Sequence, residues 1–342
     1  MRPSLLQRLV CPHCQGSLSC QATTVADNQD VVAGKLRCRD CQRAYPVTRG
    51  IPRFVPSENY ASSFGYQWNR FRQEQIDSTN GTQLSERRLR TETAWEPAWL
   101  KGKWILDAGC GAGRFLEVGS RIEECQFVGV DISEAVDAAK DTLAGRPNVH
   151  LVQASIFNPP FRPDSFDGVY CLGVIQHTPD PSQAIRSLAR MVRVGGRIAL
   201  TIYERHRCTM LYSKYWLRPL TRRLRPEKLL RAIRVLMPPM FVVTEVLFRI
   251  PLLKRVFRFV IPVANYVDAP DLSIRQRYQW AILDTFDMLA PAYDIPQRES
   301  DVAKDLSRGR IEDIHRLPNA GLNLVGVKSS SQEHVTCRVE SP

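Results

Sequence analysis

The chain has 342 residues, 44% of them apolar and 24% charged, a balance that excludes wholesale disorder, collagen and disulfide-scaffold classes and predicts two domains, or one domain with a sizeable insertion. Its 47 Lys and Arg outnumber 35 Asp and Glu by +12, and the excess is local: from Tyr203 to Val260 fourteen Lys or Arg meet only Glu204, Glu227 and Glu245, a segment charge of +11. Such a segment points to a polyanionic partner, nucleic acid or an anionic membrane. Met1 to Val10 lacks the apolar run of a secretory signal, so a cytosolic chain is expected. Arg234, Glu245, Arg249, Lys254, Arg255 and Arg258 divide its most apolar stretch, so no spanning helix is expected.

The first element in chain order is a pair of cysteine knuckles, Cys11-Pro12-His13-Cys14 and, 23 residues later, Cys38-Arg39-Asp40-Cys41. A two-residue gap lets both sulfurs of a tight turn face one ion, and two such turns supply the four thiolates that zinc prefers. A redox dithiol is the rival reading, but it needs one pair beside a βαβ unit. With four Cys ligands the zinc is expected to be structural and closed to water. His13 reads as a solvent-facing turn residue, and Cys20 and Cys337 as spare thiols. With the extended Tyr45-Pro46-Val47 to Gly50-Ile51-Pro52 arm, residues 5 to 56 resemble the small zinc-ribbon activator proteins that bind and stabilise tRNA and rRNA methyltransferases.

Residues 58 to 99 are polar with a helical period and carry aromatic clusters at Phe64-Gly65-Tyr66-Gln67-Trp68 and at Trp95 and Trp99, as a lid or a set of core anchors would. An apolar strand at Trp104 to Ala108 then feeds Gly109-Cys110-Gly111-Ala112-Gly113 and a helical stretch from Arg114 to Ser120. Glycines let the backbone turn sharply and let a ligand approach the main chain. A second apolar strand ends in Asp131, where a carboxylate can accept both hydroxyls of a ribose. Dinucleotide binding is disfavoured, because Arg114 follows a Gly-x-Gly-x-Gly turn instead of completing Gly-x-Gly-x-x-Gly.

From Lys103 to Tyr203 this pattern resembles class I S-adenosylmethionine-dependent methyltransferases of the type 11 kind. The resemblance implies an α/β fold with a Rossmann-like seven-stranded sheet whose last strand inserts antiparallel. It also implies that Asp107 and the backbone of Gly109, Gly111 and Gly113 hold the methionine moiety of S-adenosylmethionine. Asp131 would hold the ribose, Ala154, Ser155 and Ile156 would flank the adenine, and Ile132 and Leu172 would complete the cofactor-binding set. Many relatives carry Asp where this chain has Ser155, which serves equally well as a turn cap. A segment ahead of the first strand often closes over the cofactor in this family, which makes Tyr66 and Trp68 candidates for contact.

Asn158-Pro159-Pro160-Phe161 imitates an amino-methyltransferase signature but precedes the fourth strand, Phe166 to Leu172, so Asn158 reads as a turn residue. Gly173 to Asp180 occupies the position after that strand, and its His177 is the candidate catalytic base, with a loop anchor as the alternative. His206, His315 and His334 are weaker candidates. Beyond Tyr203 about a hundred inserted residues precede the final strands. Lys228, Arg231 and Arg234 beside Leu229, Leu230, Ile233 and Leu236, and Arg255 and Arg258 beside Val256, Phe257, Phe259 and Val260, read as basic amphipathic helices. They form a cap over the site, with residues 218 to 260 able to contact an anionic membrane at its inner face.

The expected organisation is a zinc ribbon at 1–56, a helical lid or linker at 57–101, a cofactor-binding core at 102–204, a basic helical insertion at 205–284, and a return to the sheet with a tail at 285–342. The function expected is O-methylation of a small-molecule, glycan or lipid-linked acceptor. An rRNA or tRNA methyltransferase is the first alternative, and a non-catalytic methyltransferase activator the second. Tyr293 and Asp294 read as a loop that can reach the substrate mouth.

Overall fold

The computed structural model describes residues 1–56, 58–319 and 321–330; His334, Cys337 and the end of the 285–342 segment lie outside them. After a single turn, α1 (Pro3–Leu6), the ribbon is an antiparallel sheet of β1 (Leu18–Val25), β2 (Val31–Cys38), β3 (Ala44–Thr48) and β4 (Ile51–Pro52) in sequential order. Most of β1 is exposed, because a chain this short has few apolar residues to bury. The residues it does bury, among them Leu5, Leu9, Leu36 and Val47, join one continuous core with Val130, Val152 and Phe161 of the following domain.

Four helices follow, α2 (Ser62–Arg70), α3 (Asp77–Asn80), α4 (Leu84–Thr93) and α5 (Pro97–Leu100). The second sheet then alternates strands and helices: β5 (Trp104–Ala108), α6 (Arg114–Gly119), β6 (Gln126–Asp131), α7 (Ala135–Thr142), β7 (Val149–Gln153), β8 (Phe166–Leu172), α8 (Pro181–Met191) and β9 (Val192–Ile202). Strands β5, β6 and β8 are buried almost throughout, as parallel strands covered on both faces must be. Asp180 starts α8 by accepting the Gln183 amide, with Pro181 in the first turn where no N–H is needed.

The insertion contributes α9 (Ser213–Thr221), α10 (Pro226–Leu247), α11 (Lys254–Val260) and α12 (Ile274–Leu289), after which α13 (Glu299–Arg308) leads to β10 (Ile311–Arg316) and β11 (Leu322–Lys328). The seven-stranded order is β10-β11-β9-β8-β5-β6-β7, with β11 antiparallel between β9 and β10, as the resemblance implied. Two details depart from the sequence reading. Helix α12 runs through residue 284, where the insertion was expected to end. The stripe Leu229, Leu230 and Ile233 of α10 is buried in a cluster with Phe286 and Leu289 of α12, so it is not available to a membrane, whereas Leu236 stays exposed.

The ribbon arm closes the open edge of the large sheet. Arg53 pairs in parallel with Gln153 of β7, the Phe54 amide donates to the Gln153 carbonyl at 2.8 Å, and the Arg53 guanidinium reaches Gln153 Oε1 at 2.9 Å and Asp137 at 2.9 Å. The Val10 amide donates to the Pro160 carbonyl at 2.9 Å on the other side of the same contact.

Candidate active site

The four knuckle sulfurs converge in the ribbon, all within 4.8 Å of one another. Cys11 and Cys41 approach to 3.7 Å and Cys14 and Cys38 to 3.4 Å. Thiolates about 2.3 Å from a tetrahedral zinc lie roughly 3.8 Å apart, a spacing that the observed sulfur separations of 3.4 Å up to 4.8 Å bracket. These cysteines form no disulfide. His13 is exposed beside them and stands outside the set. Among the described residues no other group of three or more such donors converges on a point.

The second site is a cavity of about 920 Å³ between the ends of β5, β6 and β8 and the helical insertion. Its floor is the glycine turn. Gly109 and Gly111 have φ of +86° and +51°, a side chain at Gly109 would strike Val174 at 2.5 Å, and one at Gly111 would press on the Trp68 indole at 3.2 Å. At Gly109 the left-handed backbone and Val174 both call for glycine, and at Gly111 the left-handed backbone does so with Trp68 of α2 packed close above it. Asp131 stands beside the turn: its Oδ2 accepts the Gly111 amide at 2.9 Å and its Oδ1 the Ser133 amide and hydroxyl at 2.8 and 2.7 Å. Burial raises its pKa above the ordinary carboxylate value. Asp107 lies behind the turn, 2% exposed, with Oδ2 buried and without a hydrogen-bond partner among the described residues, and burial pushes its carboxyl up to about 8. An orphaned carboxylate oxygen behind a bare glycine cradle fits a ligand that brings a positive charge.

Gly109, Gly111, Asp131, Ile132, Ile156, Leu172 and His177 all line this cavity, while Asp107, Gly113 and Ser155 do not. Gly113 starts α6 at φ +85° against Leu143. The Ser155 hydroxyl accepts the Phe157 amide at 3.2 Å, which is the turn-capping arrangement. Of the lid aromatics, Trp68 reaches the cavity and Tyr66 packs towards Phe286, with ring centroids 6.1 Å apart.

Residues 106–200 match the methyltransferase domain family, and residues 2–50 match the Trm112p-like protein family. The chain joins a Trm112p-like domain to a methyltransferase domain. A ubiquinone biosynthesis O-methyltransferase of Pseudomonas putida (strain GB-1) is 33% identical over 121 residues, 34% of this chain and 52% of that protein. Its counterpart in Dechloromonas aromatica is 32% identical over 128 residues, 36% of this chain and 55% of that protein. The chain spans about half the length of these curated relatives. Among solved structures, an O-methyltransferase family protein of Burkholderia thailandensis aligns at TM-score 0.43 and 11% identity, covering 75% of this chain and 60% of that one. A complex of the Haloferax volcanii Trm112 methyltransferase activator with a methyltransferase aligns at 0.40 and 12%, covering 77% and 99%.

In the methyltransferase domain His177 sits on a single 3-10 turn after β8, 5% exposed, between the rings of Phe64 at 5.1 Å and Tyr203 at 5.5 Å. Its Nδ1 is 3.1 Å from the Tyr293 carbonyl, which can only accept, so the proton belongs on Nδ1 and Nε2 carries a lone pair. Nε2 has no partner among the described residues, and burial holds the imidazole down at about 4. Tyr293 and Asp294 thus act as anchors: one fixes His177, and the other accepts from Lys214 at 2.8 Å and Tyr215 at 3.2 Å. The cavity is also lined by Arg88 and Arg114 and, on α12, by Asp284 and Asp287, none of which the sequence reading placed in the site. The only local signal was a carboxylate pair three residues apart on a helix of mixed composition, a spacing that shares one face.

Proposed function

We propose that this chain is an S-adenosylmethionine-dependent methyltransferase that methylates a hydroxyl of a small-molecule, glycan or lipid-linked acceptor. The observation that carries this reading is a single cavity bounded by the glycine turn and Asp131 on one side and by His177 and polar residues of the insertion on the other. The O-methyltransferase names of the partial relatives support the hydroxyl. Asp107 and the turn would hold the methionine moiety and Asp131 the ribose; when bound, the sulfonium supplies an activated methyl group. The chain's own task is to align an acceptor, exclude water and move a proton. His177, neutral with a bare Nε2, accepts a hydrogen bond from the acceptor and orients it. In the ribbon, Cys11, Cys14, Cys38 and Cys41 would hold a structural zinc.

Asp131→Ala is expected to weaken S-adenosylmethionine binding roughly tenfold to a hundredfold, since hydrogen bonds to a charged acceptor are worth about 1.5 to 3 kcal/mol. Calorimetry that returns an unchanged affinity removes Asp131 from the ribose site. Asp107 gives a pH dependence with a definite sign. Its raised pKa leaves the free protein protonated there at neutral pH, and pairing with an ammonium requires the carboxylate, so binding at pH 7 should release a proton. Affinity should rise from pH 6 to about 8 and then level off, by up to about tenfold per pH unit. Calorimetry in buffers of different ionisation heat counts the proton; affinity independent of pH detaches Asp107 from the methionine end.

The insertion supports a lipid surface as the place of work. Sixteen of the 23 large apolar side chains exposed among the described residues fall between residues 210 and 260, with Trp216 at 71% and Leu252 at 91%. The Tyr212 and Phe259 rings, 4.5 Å apart, tie the start of α9 to α11, so the exposed groups of these helices share one region with Arg255 and Arg258. A nucleic-acid surface gains little from that much apolar area, whereas a membrane interface buries it. No helix of the described residues is long and apolar enough to cross a membrane.

A further inference from the structure

Where the chain leaves β9 for the insertion, a surface cavity of about 290 Å³ is lined by Arg205, His206, Arg207, Met210 and Arg298. Its wall carries three guanidiniums and an imidazole and no carboxylate. Backbone bonds hold its two distant segments together: the Arg205 amide donates to the Gln297 carbonyl at 2.8 Å, and the Gln297 amide to the Tyr203 carbonyl at 2.9 Å. Buried Thr209 fixes the turn that follows, accepting the His206 amide through its hydroxyl at 2.7 Å and donating its own amide to the His206 carbonyl at 3.2 Å. Arg298, immediately before α13, completes the lining.

The three guanidiniums have no ion-pair partner among the described residues, and the carboxylates beside them in sequence are engaged elsewhere. Glu204 accepts the Arg316 guanidinium at 2.9 and 2.7 Å, and Glu299 accepts it at 3.0 Å. Like charges gathered around one hollow repel each other, and its wall offers no counter-charge, so the counter-charge falls to a ligand. We propose that this hollow binds a terminal phosphate group, the phosphomonoester end of a lipid headgroup or of a soluble compound. It shares no lining residue with the main cavity, so it stands independently of the methyltransferase reading.

The chemistry of the wall selects the phosphomonoester. A terminal phosphate brings nearly two negative charges and three acceptor oxygens at neutral pH, and each guanidinium can give two parallel N–H bonds to such a group. A phosphodiester has one charge and two free oxygens and would leave an arginine unmet; a carboxylate is no better. The volume equals roughly ten waters of liquid, more than a bare phosphate fills. Met210 supplies an apolar wall for the first carbons of the ester. Exposed Leu211 and Trp216 follow it along the chain, so a phosphate carried on a lipid would be seated where the exposed apolar side chains of the insertion begin.

The test uses the full chain with glycerol 3-phosphate in calorimetry, and with phosphatidylcholine vesicles containing either phosphatidic acid or phosphatidylserine at equal surface potential. Wild type should bind glycerol 3-phosphate and prefer the phosphatidic acid vesicles by about tenfold. Arg205→Gln combined with Arg298→Gln should weaken glycerol 3-phosphate binding roughly tenfold to a hundredfold and erase the vesicle preference. Arg222→Gln combined with Arg223→Gln removes the same charge from exposed positions outside the hollow and should leave both within about twofold. Arg205→Lys combined with Arg298→Lys should retain part of the affinity, which separates loss of the site from loss of fold. Glycerol 3-phosphate binding without a vesicle preference assigns the site to a soluble phosphomonoester, and the preference without glycerol 3-phosphate binding assigns it to a lipid. Absence of both, or equal losses in the two glutamine variants, overturns the site. Displacement of glycerol 3-phosphate by an RNA oligonucleotide bearing only diesters, at about 150 mM salt, overturns the terminal phosphate in favour of a nucleic-acid backbone.

Discussion

Serine at Cys38 is expected to release the zinc and unfold the ribbon, and the damage should spread to the methyltransferase domain. The ribbon's own apolar content is small, so four metal–thiolate bonds supply much of its folding free energy. Its buried Leu5, Leu9, Leu36 and Val47 belong to the same core as Val130, Val152 and Phe161, and its arm is hydrogen-bonded to β7. Losing it strips that core and uncovers a strand edge, which is an aggregation hazard. A loss of about 3 to 5 kcal/mol shifts the melting midpoint by roughly 10 °C in a domain of this size. Cys20→Ser is the control, because Cys20 lies outside the four-sulfur set. Metal analysis should find one zinc per chain in wild type and Cys20→Ser and none in Cys38→Ser. A Cys38→Ser protein that melts with wild type, or a wild type with no zinc, refutes the structural role.

Trp216→Glu combined with Leu252→Glu should weaken binding to phosphatidylserine-containing vesicles by about a hundredfold or more. Each side chain contributes about 1.5 to 3 kcal/mol when it leaves water for an apolar environment, and the substitution adds negative charge against an anionic surface. The basic side chains supply a second contribution that salt screens. Wild-type binding should therefore fall between 50 and 200 mM salt but keep a remainder, and the double variant should lose that remainder. RNA binding, carried by phosphate contacts, should collapse over the same range. Co-sedimentation without vesicle binding at low salt reduces the insertion to a cap. Structured RNA bound more tightly than vesicles at 150 mM salt puts the rRNA or tRNA reading in place of the lipid one.

The parts of this molecule written in local sequence were legible there. The paired knuckles state their geometry in their spacing, and the turn from Gly109 to Gly113 with Asp131 requires only a strand on either side. The antiparallel entry of β11 was expected only through the family resemblance, because nothing in the local sequence states which strands it joins. What escaped depends on contacts between distant segments. Asp284 and Asp287 look solvent-facing on a helix of mixed composition, and only the packing of α10 against the other face of α12 turns them inward. The low basicity of His177 comes from Phe64 and Tyr203, more than a hundred residues behind and about twenty-five ahead along the chain. The same packing removed Leu229, Leu230 and Ile233 from the surface and left the exposed apolar groups elsewhere on the insertion.

The pairing of Arg53 and Phe54 with Gln153 fixes a ratio as well as a structure. A ribbon supplied as a separate chain would reach β7 at a rate and occupancy set by its abundance, and several methyltransferases would compete for it. Here docking is intramolecular, its effective concentration is set by the tether, and every catalytic domain is made with its own ribbon. A free ribbon protein in the same compartment would find the strand edge taken, so changes in its supply should leave the abundance and stability of this chain untouched.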